Sequence, residues 1–238
     1  MRTCCIWVVG FLGLVYITPA YGQTSVDSLI NESVSTFRNI YFEEIKGNAR
    51  LYEGRKYDVE QKKADGFPYF QADMIRQGTI IFQGTRYTSQ KLYYDLTKDA
   101  VVIFNYEHDD LILLDPGKID SFSIGRHLFV PLEKLSGLPV KGFYEQLYKG
   151  DPDLYARREK KFYYGTGNQE SRYVEKNDYY IRVNNIFYKC GSKSDMLKIF
   201  GDHAEAMKKY IHNNKVNFKE DFESALLSSV IYYSGLKR

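Results

Sequence analysis

The sequence predicts a mainly β fold, an antiparallel curved sheet, half-barrel or sandwich, with a three-helix C-terminal subdomain, α+β overall. Three observations support this. Tyrosine is abundant, 22 residues beside 15 phenylalanines, and aromatic side chains favour pleated, half-buried surfaces. Short apolar runs alternate with turn-forming clusters from about Phe37 to Cys190. Beyond Cys190 the pattern changes to helical spacing behind polar capping residues.

The first segment, residues 1–22, reads as a cleavable secretory signal peptide. Arg2 supplies the positive start, and the apolar run from Cys4 to Ile17 follows it. That run of about 14 residues is shorter than the roughly 20 a membrane-spanning helix needs. Pro19 ends it, and Ala20-Tyr21-Gly22 puts small residues where a signal peptidase reads. The mature protein is then expected to start at about Gln23, and to be exported: periplasmic, outer-membrane-associated or secreted. Cys4 and Cys5 precede the apolar run, so neither sits where lipidation requires it. No later apolar run reaches about 18 residues, so the mature chain is expected to carry no transmembrane segment.

Cleavage would leave Cys190 alone, unable to form an internal disulfide and expected to be buried and inert. The net charge of +3 is mild. With export, it argues against a nucleic-acid partner.

The rest divides into 23–191, an N-terminal helix plus the antiparallel β domain, and 192–238, the helical subdomain. Val26, Leu29, Ile30, Val34 and Phe37 recur at helical spacing. Turn signals follow at Gln83-Gly84, Thr97-Lys98-Asp99, Asp109-Asp110, Asp115-Pro116-Gly117, Gly165-Thr166-Gly167-Asn168 and Asn184-Asn185. Leu135 to Gly142, looser in Gly and Pro, reads as a connection between two halves of the sheet. A turn at Asn184-Asn185 pairs Val183 with Ile186, Ile181 with Tyr188 and Tyr179 with Cys190, an inward face. Arg182 with Phe187 and Tyr180 with Lys189 then form a solvated face with cation–π potential.

In the tail, Ser192-Lys193-Ser194-Asp195, Asp202-His203-Ala204-Glu205 and Asn217-Phe218-Lys219-Glu220 each follow the logic of a capping box. Phe222, Ala225, Leu226, Ser229, Val230 and Tyr233 share one helical face. Ser194-Asp195-Met196-Leu197, Lys208-Lys209-Tyr210-Ile211, Phe218-Lys219-Glu220-Asp221-Phe222 and Tyr232-Tyr233 together resemble the C-terminal end of uncharacterised exported proteins of Bacteroidetes-type bacteria. The resemblance implies a Gram-negative envelope; it implies no activity and no site residues.

Chemistry-bearing clusters are few. Glu107, His108, Asp109 and Asp110 are the densest set of metal-ligand types. They are consecutive, so their side chains diverge, and they lie between two apolar runs where a hairpin needs a polar loop. Arg157, Arg158, Lys160 and Lys161, flanked by aromatics, are the candidate surface for an anionic envelope partner. A strand edge guarded by charge accounts for the same residues. Gly165-x-Gly167 precedes no helix that would receive phosphate. No HExxH, Cys/His cluster or Gly-x-Ser-x-Gly elbow occurs. The sequence thus singles out no catalytic residue and no cofactor. The expected function is a non-catalytic envelope protein binding an apolar or extended ligand, or a protein partner. The alternative is an enzyme acting on envelope polymers through carboxylates that have no fixed spacing.

Overall fold

The structure, a computed structural model, describes residues 50–59, 63–71, 76–105, 108–133, 137–167 and 169–237. The expected signal peptide and the helix over 25–37 lie outside these residues. Among these residues eleven strands form one antiparallel sheet, the open form of the expected architecture. They are β1 (Arg55–Lys56), β2 (Arg76–Phe82), β3 (Thr85–Asp95), β4 (Ala100–Asn105), β5 (Asp110–Leu113) and β6 (Ile119–Ile124). They continue as β7 (His127–Leu132), β8 (Gly142–Tyr148), β9 (Asp153–Tyr163), β10 (Arg172–Val183) and β11 (Ile186–Lys189). The order across the sheet is β1-β5-β4-β3-β2-β6-β7-β8-β9-β10-β11, with β1 and β11 at its edges. Helices α1 (Lys193–Ile199), α2 (Ala204–Asn213) and α3 (Phe222–Leu236) follow. No helix among the described residues is long and apolar enough to cross a membrane.

The turns fall where their residues suit the backbone. Gln83 and Gly84 both have positive φ, 49° and 76°, as do Asn184 and Asn185, 49° and 62°. Two-residue hairpins of this twist require that at both central positions, and Gly and Asn tolerate it best. The β10–β11 register is the expected one, Val183 to Ile186 and Ile181 to Tyr188.

Three apolar clusters hold the fold. The first lies over the N-terminal half of the sheet, where Tyr94, Phe122, Phe129 and Phe143 are all buried. Phe122 stacks on Phe129 with centroids 4.8 Å apart, and Tyr94 meets Phe129 edge-on at 4.9 Å. The second joins Leu154 and Ile181 of the sheet to Met196, Phe200, Leu226 and Val230 of the helices. The helices are thus seated on the C-terminal half of the sheet, within one compact unit, Gly47–Arg238.

The third cluster corrects the expected solvated face. Tyr180 and Phe187 are buried with Tyr144, Tyr155 and Leu138. Alternate residues of a strand face opposite ways, so this cluster lies on the side away from the helices. Leu138, from the β7–β8 connection, covers it. That connection joins adjacent strands, and its Gly137 lies so close to β11 that a Cβ would stand 1.7 Å from the Phe187 carbonyl oxygen. Conversely, Ile186 and Tyr188, expected inside, are exposed. On that same face Ile181 and Cys190 are nevertheless fully buried.

Candidate functional site: the cleft around the β3–β4 turn

The basic tract on β9 does not form a surface. β9 lies between β8 and β10, so it is no edge strand and needs no charge to guard it. Its cations point to alternate sides and are engaged inside the protein. Arg157 Nη1 donates to the Phe143 carbonyl at 2.7 Å and pairs with Asp99 at 2.9 Å. Arg158 joins two carboxylates, Glu145 through Nη2 at 2.6 Å and Glu223 of α3 through Nη1 at 2.6 Å. Lys160 Nζ donates to the Phe67 and Tyr69 carbonyls at 3.0 and 2.7 Å. Lys161 alone is exposed.

Glu145 is the buried centre of a chain of polar contacts. Its other oxygen accepts from His127 Nδ1 at 2.5 Å, because a carboxylate has no proton to give. The Gln71 amide nitrogen stands 3.1 Å from His127 Nε2. At the far end the Tyr179 hydroxyl donates to Glu223 at 2.9 Å. The chain crosses from β7 through β8 and β9 to α3, along the seam between the first and second apolar clusters. Its charges have opposite partners within the protein, so it ties helix to sheet.

The acidic loop is likewise tied locally. Asp110 pairs with Lys56 at 2.6 Å, and His108 Nδ1 stands 3.3 Å from the Asn105 amide nitrogen. Asp109 has φ of 53° and makes the turn. Glu107 lies outside the described residues. Among the described residues no group of three or more His, Cys, Asp or Glu side chains is placed to hold a metal ion. Cys190 is fully buried, and burial together with Asp195 pushes its thiol up to about 12. The thiolate that a nucleophile needs is thus suppressed.

Two of the hollows on the described residues adjoin the β3–β4 turn, Leu96 to Asp99. Although β3 and β9 are not neighbours in the sheet, this turn reaches β9, where the Leu96 carbonyl accepts from Lys160 N at 3.2 Å. Asp95, 1% exposed, shapes the turn. One of its oxygens accepts from Thr97 N and Oγ1, both at 2.7 Å, and from Lys98 N at 3.2 Å. The other accepts from the Tyr57 hydroxyl at 2.5 Å. Burial first, and then this carboxylate, hold the Tyr57 phenol protonated far into alkali. Asp99 is similarly engaged, by the Tyr94 hydroxyl at 2.6 Å and by Arg157.

Two hollows flank the turn. The larger, about 580 Å³, runs between the turn and the β1 and β5 segments. Arg55, Lys98 and Lys118 line it, and none of the three forms an ion pair among the described residues. Of its acids, Asp99 is held as above, and Asp115, which accepts from Gly117 N at 3.0 Å, remains with Glu53. The smaller hollow, about 210 Å³, has aromatic walls: Tyr57, Tyr69, Phe162 and Tyr173, with Pro68. Lys98 belongs to both, its ammonium 4.8 Å from the centre of the Tyr57 ring. The result is a cleft lined by three cations, beside a small aromatic hollow whose one carboxylate, Asp95, is bonded by neutral donors.

Sequence reasoning read Thr97-Lys98-Asp99 only as a turn and missed Arg55, Lys118 and Tyr57. These residues are scattered over the chain, and only the pairing of β1 with β5 brings Arg55 to the hollow. Comparison with family models, with curated proteins and with solved structures finds no match.

Proposed function

We propose that this chain is an exported, non-catalytic protein of the cell envelope that binds an extended anionic ligand in the cleft around the β3–β4 turn. The observation that carries the reading is the imbalance at the larger hollow. Three cations without carboxylate partners among the described residues line it, against two acids, Glu53 and Asp115, since Asp99 is paired with Arg157. Unmatched donors on a concave surface favour a ligand that brings acceptors. The hollows are open and polar at the rim, which suits an extended chain better than an enclosed apolar molecule. Export rests on the amino-terminal pattern of Arg2, the apolar run and Ala20-Tyr21-Gly22.

Hydrolysis of an envelope polymer is less well supported. It needs one carboxyl group free to give a proton and another to assist across the cleft. Asp99 and Asp115 already accept hydrogen bonds that fix them, and Asp95 lies buried under Tyr57.

The test is titration calorimetry with polygalacturonate and poly-L-glutamate as polyanion probes. Both should bind, with affinity falling as salt rises. Replacing Arg55, Lys98 and Lys118 together by Ala should weaken binding at least tenfold, whereas Lys208→Ala on α2 should leave it unchanged. Absence of binding to either probe, or equal loss with Lys208→Ala, would refute the reading.

A further inference from the structure

The face of the sheet away from the helices carries a further hollow, of about 440 Å³. Alternation along the strands builds its floor: Arg157 and Glu159 of β9 stand opposite Asp178 and Lys176 of β10. Tyr180 comes next along β10, and Lys189 of β11 stands opposite it. The wall is the β7–β8 connection, where Pro139 and Val140 are exposed. The Tyr144 hydroxyl donates to the Val140 carbonyl at 2.8 Å and pins that wall in place.

The ion pairs of the floor fall into two sets of opposite net charge. Asp178 pairs with both Lys176, at 2.8 Å, and Lys189, at 2.9 Å, which leaves one positive charge over. Arg157 pairs with both Asp99, at 2.9 Å, and Glu159, at 3.3 Å, which leaves one negative charge over. The Tyr94 hydroxyl that also reaches Asp99 is neutral and does not alter this count. No ion pair joins the two sets among the described residues. Tyr180 adds a donor. The residue is 1% exposed, it lines the hollow, and among the described residues its hydroxyl makes no hydrogen bond. The oxygen is not sealed in, since the fully enclosed side-chain atoms without a partner are elsewhere, on Asn177 and His203. The charges that act on its phenol are those of Asp178, Lys176, Glu159 and Arg157, all members of the two sets. Burial, and then Asp178, push that phenol up, so at neutral pH it keeps a proton to donate. A buried hydroxyl left without a partner is costly.

From this juxtaposition of two oppositely charged sets with an unpartnered hydroxyl, we infer that the hollow is a second binding site, for a free α-amino acid with an apolar side chain. Its carboxylate takes the surplus positive charge of Lys176 and Lys189 and accepts from the Tyr180 hydroxyl. Each lysine has three donors and spends one on Asp178. Its ammonium takes the surplus negative charge of Glu159. Its side chain lies against Pro139 and Val140, the latter 43% exposed. A simple anion would leave Glu159 unmatched beside it, and a simple cation would leave the lysines so. The site goes beyond the anion-binding cleft and shares none of the three cations that line it.

Calorimetry on the full chain with four probes tests each contact. L-Leucine should bind at least tenfold more tightly than isocaproate, which lacks the ammonium, or leucinamide, which lacks the carboxylate. It should exceed glycine, which lacks the side chain, by a similar factor. Tyr180→Phe removes the hydroxyl and keeps the buried ring. It should weaken leucine about tenfold, the scale of one hydrogen bond to a charged group. Lys189→Ala, at an exposed position, should weaken leucine as well, and Glu159→Gln should abolish the advantage of leucine over isocaproate. Unaltered thermal unfolding of the three variants establishes that they are folded. Equal binding of leucine and isocaproate, or of leucine and leucinamide, would overturn the pairing with both charged sets. Equal binding of leucine and glycine would overturn the contact with Pro139 and Val140. Leucine binding unchanged by Tyr180→Phe, or no leucine binding at all, would overturn the site. Polyanion binding depends on Arg55, Lys98 and Lys118, so either reading can fail while the other stands.

Discussion

Arg158 shows how a residue's surroundings determine its role. In the sequence it belongs to a run of cations beside aromatics, and a run of that kind reads as a surface. In the fold it is 7% exposed and lies between Glu145, 3% exposed, and Glu223. A charge that leaves water needs a partner of opposite sign and good geometry. Arginine suits this position because its planar group can address two carboxylates at once. Replacing Arg158 by Met would leave Glu145 buried with only His127 beside it. Removal of one member of a buried pair costs about 3–5 kcal/mol, and urea unfolding of Arg158→Met should show a loss of that size. A loss below 1 kcal/mol, within the range of an exposed pair, would mean that water reaches the seam. The alternation of the tract was legible in the sequence, since Arg157 and Arg158 must face opposite ways in any strand. Their partners were not, because Asp99, Glu145 and Glu223 are distant in sequence and meet β9 only through the sheet order and the seating of α3.

At the scale of elements, local chemistry located the helices more accurately than it located their caps. Ser192 opens α1 as expected, its hydroxyl accepting from Asp195 N at 3.1 Å. The second expected box fails: α2 begins at Ala204 without a side-chain cap, and Asp202 instead accepts from the Tyr233 hydroxyl of α3 at 3.1 Å. In the third, Asn217 closes a small turn on Lys219 N, and Asp221 caps α3 through Ser224 N at 3.0 Å. Tertiary partners compete for short polar side chains, and the sequence does not reveal that competition. The apolar stripe of α3 was legible, since Ala225, Leu226, Ser229, Val230 and Tyr233 are all buried. The helices span 7, 10 and 15 residues. Isolated helices below about 12–15 residues are marginal in water, so the first two in particular depend on the shared cluster with Leu154 and Ile181. Leu226→Ala, at a fully buried position, should therefore cost about 2–5 kcal/mol. Sheet and helices should still unfold in one transition, followed by far-ultraviolet dichroism and by tyrosine fluorescence. Separate transitions would show that the helices form a unit independent of the sheet.

For the molecule as a whole, the aromatic count predicted the sheet, and the sheet in turn puts many tyrosines out of reach of water. Tyr69, Tyr144 and Tyr233 are each at most 7% exposed. Burial pushes all three phenols up from 10.0 to about 12, with Asp95 adding to the effect at Tyr69 and Asp202 at Tyr233. The sign of the consequence follows from which state holds the proton more tightly. The folded protein does, so these residues contribute their full stabilisation below the unfolded value of 10.0, and it drains away as the pH rises towards 12. Urea stability should thus be insensitive to these groups up to about pH 10 and fall steadily through the next two pH units. Absorbance at 295 nm, which follows phenolate formation, should rise in two phases. The later phase should coincide with the loss of far-ultraviolet dichroism, because the buried phenols ionise only as the sheet opens. A single smooth titration completed near pH 10 with the dichroism intact would place these rings in water, against the burial that the sheet gives them.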